Sequence, residues 1–169
     1  VIHTKHKPHA LEIIRDMPAE DLKSFYAVIS VGGDGIAHEI VNGYYQRLDF
    51  KEVALRLGCL LGGSACGLAA SACLGCGLTK TQDNLVWIMT RGRFRSGAIT
   101  KYITDGDVKV IYGLGCFFHG FLSDVDFKSE KWRWMGDSRF KVYSYLKMLN
   151  LDKRPCKYWV SEQPFPAAH

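Results

Sequence analysis

The sequence predicts an α/β domain followed by the start of an antiparallel β domain. Three observations carry that prediction. Two segments share one pattern, an apolar run, a glycine turn and a helix-forming run: Tyr26–Asn42, broken at Gly32-Gly33-Asp34-Gly35, and Leu57–Ser71, broken at Gly62-Gly63. A strand that breaks on glycines and re-enters a helix is half of a βα unit, and two in succession build a parallel sheet. The third observation is Asp105-Gly106 between the strand-like runs 94–103 and 108–118, a hairpin signal. The change of pattern puts a domain boundary near residue 93, giving domains 1–92 and 93–169.

The elements follow in order. Residues 8–16 carry Leu11, Ile13 and Ile14 on an amphipathic helix, and Pro18-Ala19-Glu20-Asp21-Leu22 starts another with proline in its first turn. The strand at 26–31 is apolar throughout, as a buried strand should be, and a helix runs from the Asp34 turn to about Gln46. Residues 50–57 read as a short helix or loop, 58–61 as the second strand, and the small residues up to about Cys73 as a helix packed closely on the sheet. Thr81 or Asp83 is the expected N-cap of a helix that ends at Arg91-Gly92. The segment 120–140 is dense in alternating charge, and on one helix Asp126, Glu130 and Arg133 would share a face. A Leu/Tyr-rich helix over 140–151 and a loose tail at 164–169 complete the chain.

Composition excludes several classes. Of 169 residues 47% are hydrophobic and 23% charged, which is a globular and not a disordered balance. The net charge of +5 is compatible with an anionic ligand or membrane surface, but it is too diffuse for nucleic acid. No apolar stretch reaches the ~18 residues of a membrane span. The N-terminus has no signal-peptide core and no initiator Met, so a cytoplasmic fragment is expected. The six cysteines then read as reduced thiols. Cys73 and Cys76 have metal-like spacing without a second pair, so no metal ligand is assigned. His3, His6 and His9 recur every third residue, but Pro8 interrupts any helix there, and the segment reads as a flexible polar lead-in.

The glycine turns carry the chemistry. Backbone N–H groups left free at a strand–glycine–helix turn suit a phosphate. An aspartate locked in such a turn suits proton abstraction or metal-bound phosphate chemistry. The plain alternatives are a solvated Asp34 in a tight turn, a second loop that needs small residues only for packing, and a charged helix laced with weak ion pairs.

Three blocks resemble the sphingosine kinases, within the wider diacylglycerol-kinase-type lipid kinases: Gly32-Gly-Asp-Gly-Ile-Ala-His-Glu-Ile-Val-Asn-Gly43, Gly62-Gly-Ser-Ala-Cys-Gly-Leu-Ala-Ala-Ser71, and Phe121-Leu-Ser-Asp-Val-Asp126 through Arg133 and on to Phe140. The first two are shared with other lipid kinases, and the third marks the sphingoid-base branch. The resemblance runs from about Thr4 to about Arg154. It implies an α/β nucleotide domain followed by a β-sandwich-like lipid-binding domain, with the site in the cleft between them and both domains truncated at the outer ends. It implies ATP and Mg²⁺ as cofactors, a sphingoid lipid as substrate, and transient association with a membrane surface. Asp34 would take the proton of the lipid's primary hydroxyl. Gly32, Gly33, Gly35, Gly62, Gly63 and Ser64 would form the nucleotide loops, with Arg133 and Arg139 toward the triphosphate. Asp126 would pair with the lipid ammonium, and Glu39, Cys116 and Glu130 would support the site. The second loop departs from the family's usual Pro-(Gly/Ala)-Gly-Ser-Gly-Asn at Leu61, Ala65 and Cys66. Two other readings stand beside the kinase. One is an inactive or truncated relative that binds lipid or a partner, and the other is a protein similar to NAD kinases, which share Gly-Gly-Asp-Gly.

Overall fold

The computed structural model describes residues 1–63, 66–97, 99–103, 110–114 and 120–151. Ser64, Ala65, Cys116, the turn at 104–107 and the tail at 164–169 lie outside the described residues. The chain forms two compact units, Val1–Phe117 and Phe118–His169.

The first unit is the α/β arrangement that the glycine turns predict. Strand β1 (Val28–Gly32) pairs in parallel with β2 (Leu57–Leu61), Val28 opposite Leu57 and Gly32 opposite Leu61. A parallel pair needs a crossover, and helix α3 (Asp34–Tyr45) supplies it. Both strands therefore end at one edge, where both glycine turns open.

Two apolar clusters hold these elements. The first joins Ala10 and Ile14 of α1 (His9–Asp16), Leu22 of α2 (Ala19–Ser24), Ile40 of α3 and Val53. Here α1 crosses α3 so closely that a Cβ on Gly43 would lie 2.3 Å from the Leu11 carbonyl oxygen. The second cluster joins Cys59 of β2, Cys66, Ala69 and Cys73 on and before α4 (Gly67–Gly75), and Leu85 of α5 (Gln82–Arg91). Thr81 is the cap of α5, its Oγ1 accepting from the Asn84 N–H at 3.2 Å. Gly92 ends α5 for a reason other than a left-handed turn. Its φ is −76°, and a Cβ there would meet the Ile88 carbonyl oxygen at 2.2 Å.

Antiparallel pairing follows, as the hairpin signal predicts: β3 (Thr100–Ile103) against β4 (Val110–Gly113). β3 is shorter than the run 94–103 suggested, and β4 lies within the run 108–118. Residues 92–97 take no regular structure, and the pair lies within the first unit. No helix among the described residues is long and apolar enough to cross a membrane.

The described part of the second unit is helical: α6 (Phe121–Lys128), a 3₁₀ segment (Ser129–Met135) and α7 (Ser138–Met148). This corrects the single helix face expected for Asp126, Glu130 and Arg133. The chain tightens to three residues per turn after Lys128, and Trp132 leaves helical angles at φ −108°, ψ 27°. In a 3₁₀ turn residues i and i+3 eclipse. That stacks Arg133 on Glu130, with Nε 2.7 Å from Oε2, but leaves Asp126 on a differently wound helix.

Candidate active site

The site grows from a backbone contact. The two glycine turns touch: a Cβ on Gly62 would lie 2.8 Å from the Gly32 Cα, and one on Gly63 would lie 2.8 Å from the Gly33 Cα. Any side chain at 62 or 63 would drive the loops apart. The paired glycines are therefore required by loop-on-loop packing as well as by access for a ligand. Gly33 and Gly35 differ from them. A Cβ at Gly35 would meet nothing within 4 Å, and one at Gly33 would meet only the Gly63 Cα at 3.9 Å, so the turn is open on that side.

Asp34 starts α3 and joins the two turns. Its Oδ2 accepts the Gly67 N–H at 2.8 Å, and its Oδ1 accepts the Leu68 N–H at 3.0 Å. The side chain of Asp34 thus caps α4, satisfying two of the N–H groups that a helix start leaves without intrahelical partners. Cys66, which precedes α4, instead directs its thiol at the Gly32 carbonyl, with Sγ 3.7 Å from the oxygen. Asp34 is exposed, and each carboxylate oxygen keeps a second lone pair for a proton or a cation. At the start of α3 the Ile36 N–H donates to the Gly33 carbonyl at 3.2 Å, which leaves the earlier N–H groups of this helix start for an anion, whereas α4 already has one in Asp34.

Asp34 is the one acidic residue in the stretches Gly32–Gly35 and Gly62–Gly67. A magnesium ion is commonly bound by one or two carboxylates and completed by substrate phosphates and water. An exposed lone aspartate beside an anion seat fits that donor set.

Other predicted residues fall elsewhere. Glu39 is not brought to Asp34. Its Oε2 accepts the Ala10 N–H at 3.2 Å and caps α1, whose own N-cap, Pro8, offers no side-chain acceptor. Glu130 sits between two guanidiniums in the second unit, Arg133 Nε at 2.7 Å and Arg139 Nη1 at 2.9 Å. Burial pushes its carboxyl up, but the Arg139 hydrogen bond and the Arg133 charge outweigh that and hold it below its ordinary value. The Arg139 side chain is 6% exposed and lies 4.4 Å from the Phe140 ring centre, whereas Arg133 is 68% exposed. Of the two guanidiniums paired with Glu130, Arg133 is therefore the solvent-facing one. Asp126 is exposed, and its neighbour Asp124 is buried against Lys147 at 3.2 Å and Lys128 at 3.4 Å.

Sequence reasoning missed Asn42. Its side-chain oxygen accepts the Tyr112 N–H at 2.9 Å, and its Nδ2 donates to the Tyr112 carbonyl at 2.8 Å and to the His38 carbonyl at 2.8 Å. The signal was Asn42-Gly43 at the end of the first block: a polar residue that α3 buries, beside a glycine required by α1.

The described cysteines differ sharply in environment. Burial, with Cys66 beside it, pushes the Cys59 thiol up to about 12, and Cys66 and Cys73 are buried too, while Cys76 is exposed. A maleimide at neutral pH should therefore label Cys76 in the folded chain and reach Cys59, Cys66 and Cys73 only after denaturation. Peptide mapping reads this directly, and rapid labelling of Cys59 in the folded protein would contradict the buried cluster.

The family described as "Diacylglycerol kinase catalytic domain" matches residues 1–101. The chain belongs to that family. The chain is similar to Sphingosine kinase 1 of Arabidopsis thaliana, at 34% identity over 149 residues, 88% of this chain and 30% of that protein. It is similar to Sphingosine kinase 1 of Mus musculus at 31% identity over 157 residues, 89% of this chain and 40% of that protein. It is also similar to Sphingoid long chain base kinase 4 of Schizosaccharomyces pombe, at 29% identity over 157 residues, 92% of this chain and 32% of that protein. The chain thus spans well under half the length of these relatives. The matched residues 1–101 hold both glycine turns and Asp34, so the diacylglycerol kinase family match and the loop-on-loop contact describe the same region.

Proposed function

We propose that this chain supplies catalytic parts of an ATP-dependent kinase that phosphorylates the primary hydroxyl of a sphingoid base. One observation carries the reading: the exposed Asp34 carboxylate held where two glycine turns meet, beside the open N-terminus of α3. In this reading the α3 N–H groups and Gly33-Gly35 receive phosphate oxygens, and Asp34 takes the hydroxyl proton. Mg²⁺ would neutralise phosphate charge, held mainly by the phosphates and water, with no protein ligand assigned to it while Asp34 takes the proton. Ser64 and Cys116 are assigned nucleotide contacts on resemblance alone. Arg133 and Arg139 would face the phosphates, with Glu130 near them. Functionally, residues 1–92 would bind the nucleotide and residues 93–169 would begin a β-sandwich-like lipid-binding domain, with action at a membrane surface from the cytoplasm.

The test is a full-length protein given labelled ATP with sphingosine or diacylglycerol. Turnover of sphingosine supports the reading, and turnover of diacylglycerol alone overturns the substrate. A second reading, a relative that binds without phosphorylating, is favoured by Cys66, where the family usually has asparagine. Retained ATP binding without turnover of either lipid would select it.

Lipid choice rests on Asp126, whose charge suits a sphingoid ammonium that diacylglycerol lacks. Asp126→Ala should reduce sphingosine use at least about tenfold, since a charged hydrogen bond is worth ~1.5–3 kcal/mol. ATP affinity and the melting temperature should stay unchanged. Asp124→Ala should instead lower stability, because it removes a buried carboxylate that pairs with Lys147 at 3.2 Å and Lys128 at 3.4 Å. Unchanged sphingosine titration in Asp126→Ala removes that residue from the lipid site.

A further inference from the structure

We propose that His6, His9 and Glu12 form a binding site for a divalent transition metal of the zinc class. The histidine spacing alone suggested only a flexible lead-in. The structure instead folds this stretch onto the start of α1. The His9 N–H donates to the His6 carbonyl at 3.1 Å, closing a turn, and the Glu12 N–H donates to the Pro8 carbonyl at 3.2 Å, beginning the helix. The turn lays the His6 ring on the His9 ring, with centres 4.8 Å apart and planes within 26°. It also brings His6 Nε2 to 3.7 Å from the Glu12 carboxylate. Donor atoms of all three side chains lie within 4.8 Å of one another.

Two imidazoles and a carboxylate are a three-ligand set suited to Zn²⁺, with a fourth position for water. Donors held at ~2.0–2.1 Å around a tetrahedral ion lie about 3.4 Å apart, so the set must close by roughly an ångström. His6 is exposed and Glu12 half-exposed, so side-chain rotation can do this without disturbing the core. One bond competes: the Lys5 N–H donates to His9 Nδ1 at 3.0 Å. A metal at Nδ1 replaces that donor, and Lys5, which is exposed, turns its N–H to water. Imidazole donors select zinc, copper, nickel or cobalt over magnesium and calcium. The site is therefore separate in chemistry from the Asp34 carboxylate, and it would pin residues 5–8 to the first turn of α1.

The test uses the whole chain, with Co²⁺ as an optical probe and Zn²⁺ as competitor. One Co²⁺ per chain should bind, displaceable by Zn²⁺, with a nitrogen/oxygen-type spectrum lacking a thiolate charge-transfer band. His6→Ala and His9→Ala should each weaken binding at least about tenfold, more than the loss of an outer-shell partner at its mild end. Glu12→Gln should weaken it by a smaller factor, and His3→Ala should leave it unchanged. A thiolate band would move the metal to the cysteines and overturn the proposal. So would equal affinity in His6→Ala and His9→Ala, or a loss in His3→Ala as large as theirs.

Discussion

Replacing Asp34 with asparagine is expected to abolish sphingosine phosphorylation in a full-length enzyme and, in the same variant, to loosen the start of α4. The first effect is chemical. Asparagine cannot accept the hydroxyl proton, and removal of a general base typically costs ~10²–10⁴-fold in rate. The second effect follows from geometry. The carboxylate receives two backbone N–H groups, one on each oxygen, from Gly67 and Leu68. Asparagine has one oxygen, so its amide nitrogen must face the other N–H, donor against donor. Loss of a helix cap of this kind costs about 0.5–2 kcal/mol. Turnover and thermal unfolding measured on the same preparation separate the two. Near-normal turnover would sink the general-base assignment. A lost rate with an unchanged melting temperature would mean that Asp34 does not hold α4, and the change would then be purely chemical.

Arg47→Ala should be the most destabilising single change in the first unit. The side chain is 4% exposed, and its Nη1 donates to the carbonyls of Ile14, Arg15 and Met17 at the end of α1. Its Nε and Nη2 hold the two oxygens of Asp49 at 2.8 Å each. Alanine leaves three carbonyls without this donor, at about 1–3 kcal/mol for each one left unsatisfied. A loss of at least about 3 kcal/mol is expected in urea unfolding. There is a pH signature as well. The Arg47 hydrogen bonds hold the Asp49 carboxyl below its ordinary value of 3.8. A group with a depressed folded value contributes stability above its unfolded value and loses it as pH falls through the folded one. The contribution is therefore complete at neutral pH and fades below about 3.8, and Arg47→Ala should flatten that acid limb. Unfolding of Arg47→Ala at the parent urea midpoint would deny Arg47 this role.

What the sequence disclosed and what it hid divide along physical lines. The βα turns at Gly32–Gly35 and Gly62-Gly63 were legible because glycine pairs after apolar runs are local signals; the start of α5 was also local, with Thr81 or Asp83 as its cap, and the fold uses Thr81. The contact between those turns was not legible, since nothing local tells residue 62 that it will meet residue 32. Arg47 stands between Gln46 and Asp49 with only Leu48 apolar beside it and looks like surface, and only the fold reveals that α1 ends against it. Glu39 stood among the supporting residues by resemblance alone, and nothing local disclosed the partner that the fold gives it, the Ala10 N–H of α1. The charge-rich stretch 121–140 was legible as a run of alternating charge, and in the fold Glu130 pairs with both Arg133 and Arg139. The winding of that stretch was not legible, because the change to a 3₁₀ turn at Ser129 has no compositional mark.

Asn42 has a meaning beyond holding α3 to β4. An unpaired strand border offers its N–H and C=O groups to any passing chain, a standing route to aggregation. By answering both the N–H and the C=O of Tyr112, the Asn42 amide acts there as a neighbouring strand would, from the flank of a helix. One side chain thereby closes part of the hairpin's outer border to intermolecular pairing. Its value to the protein would be felt in solubility and expression before it was felt in catalysis.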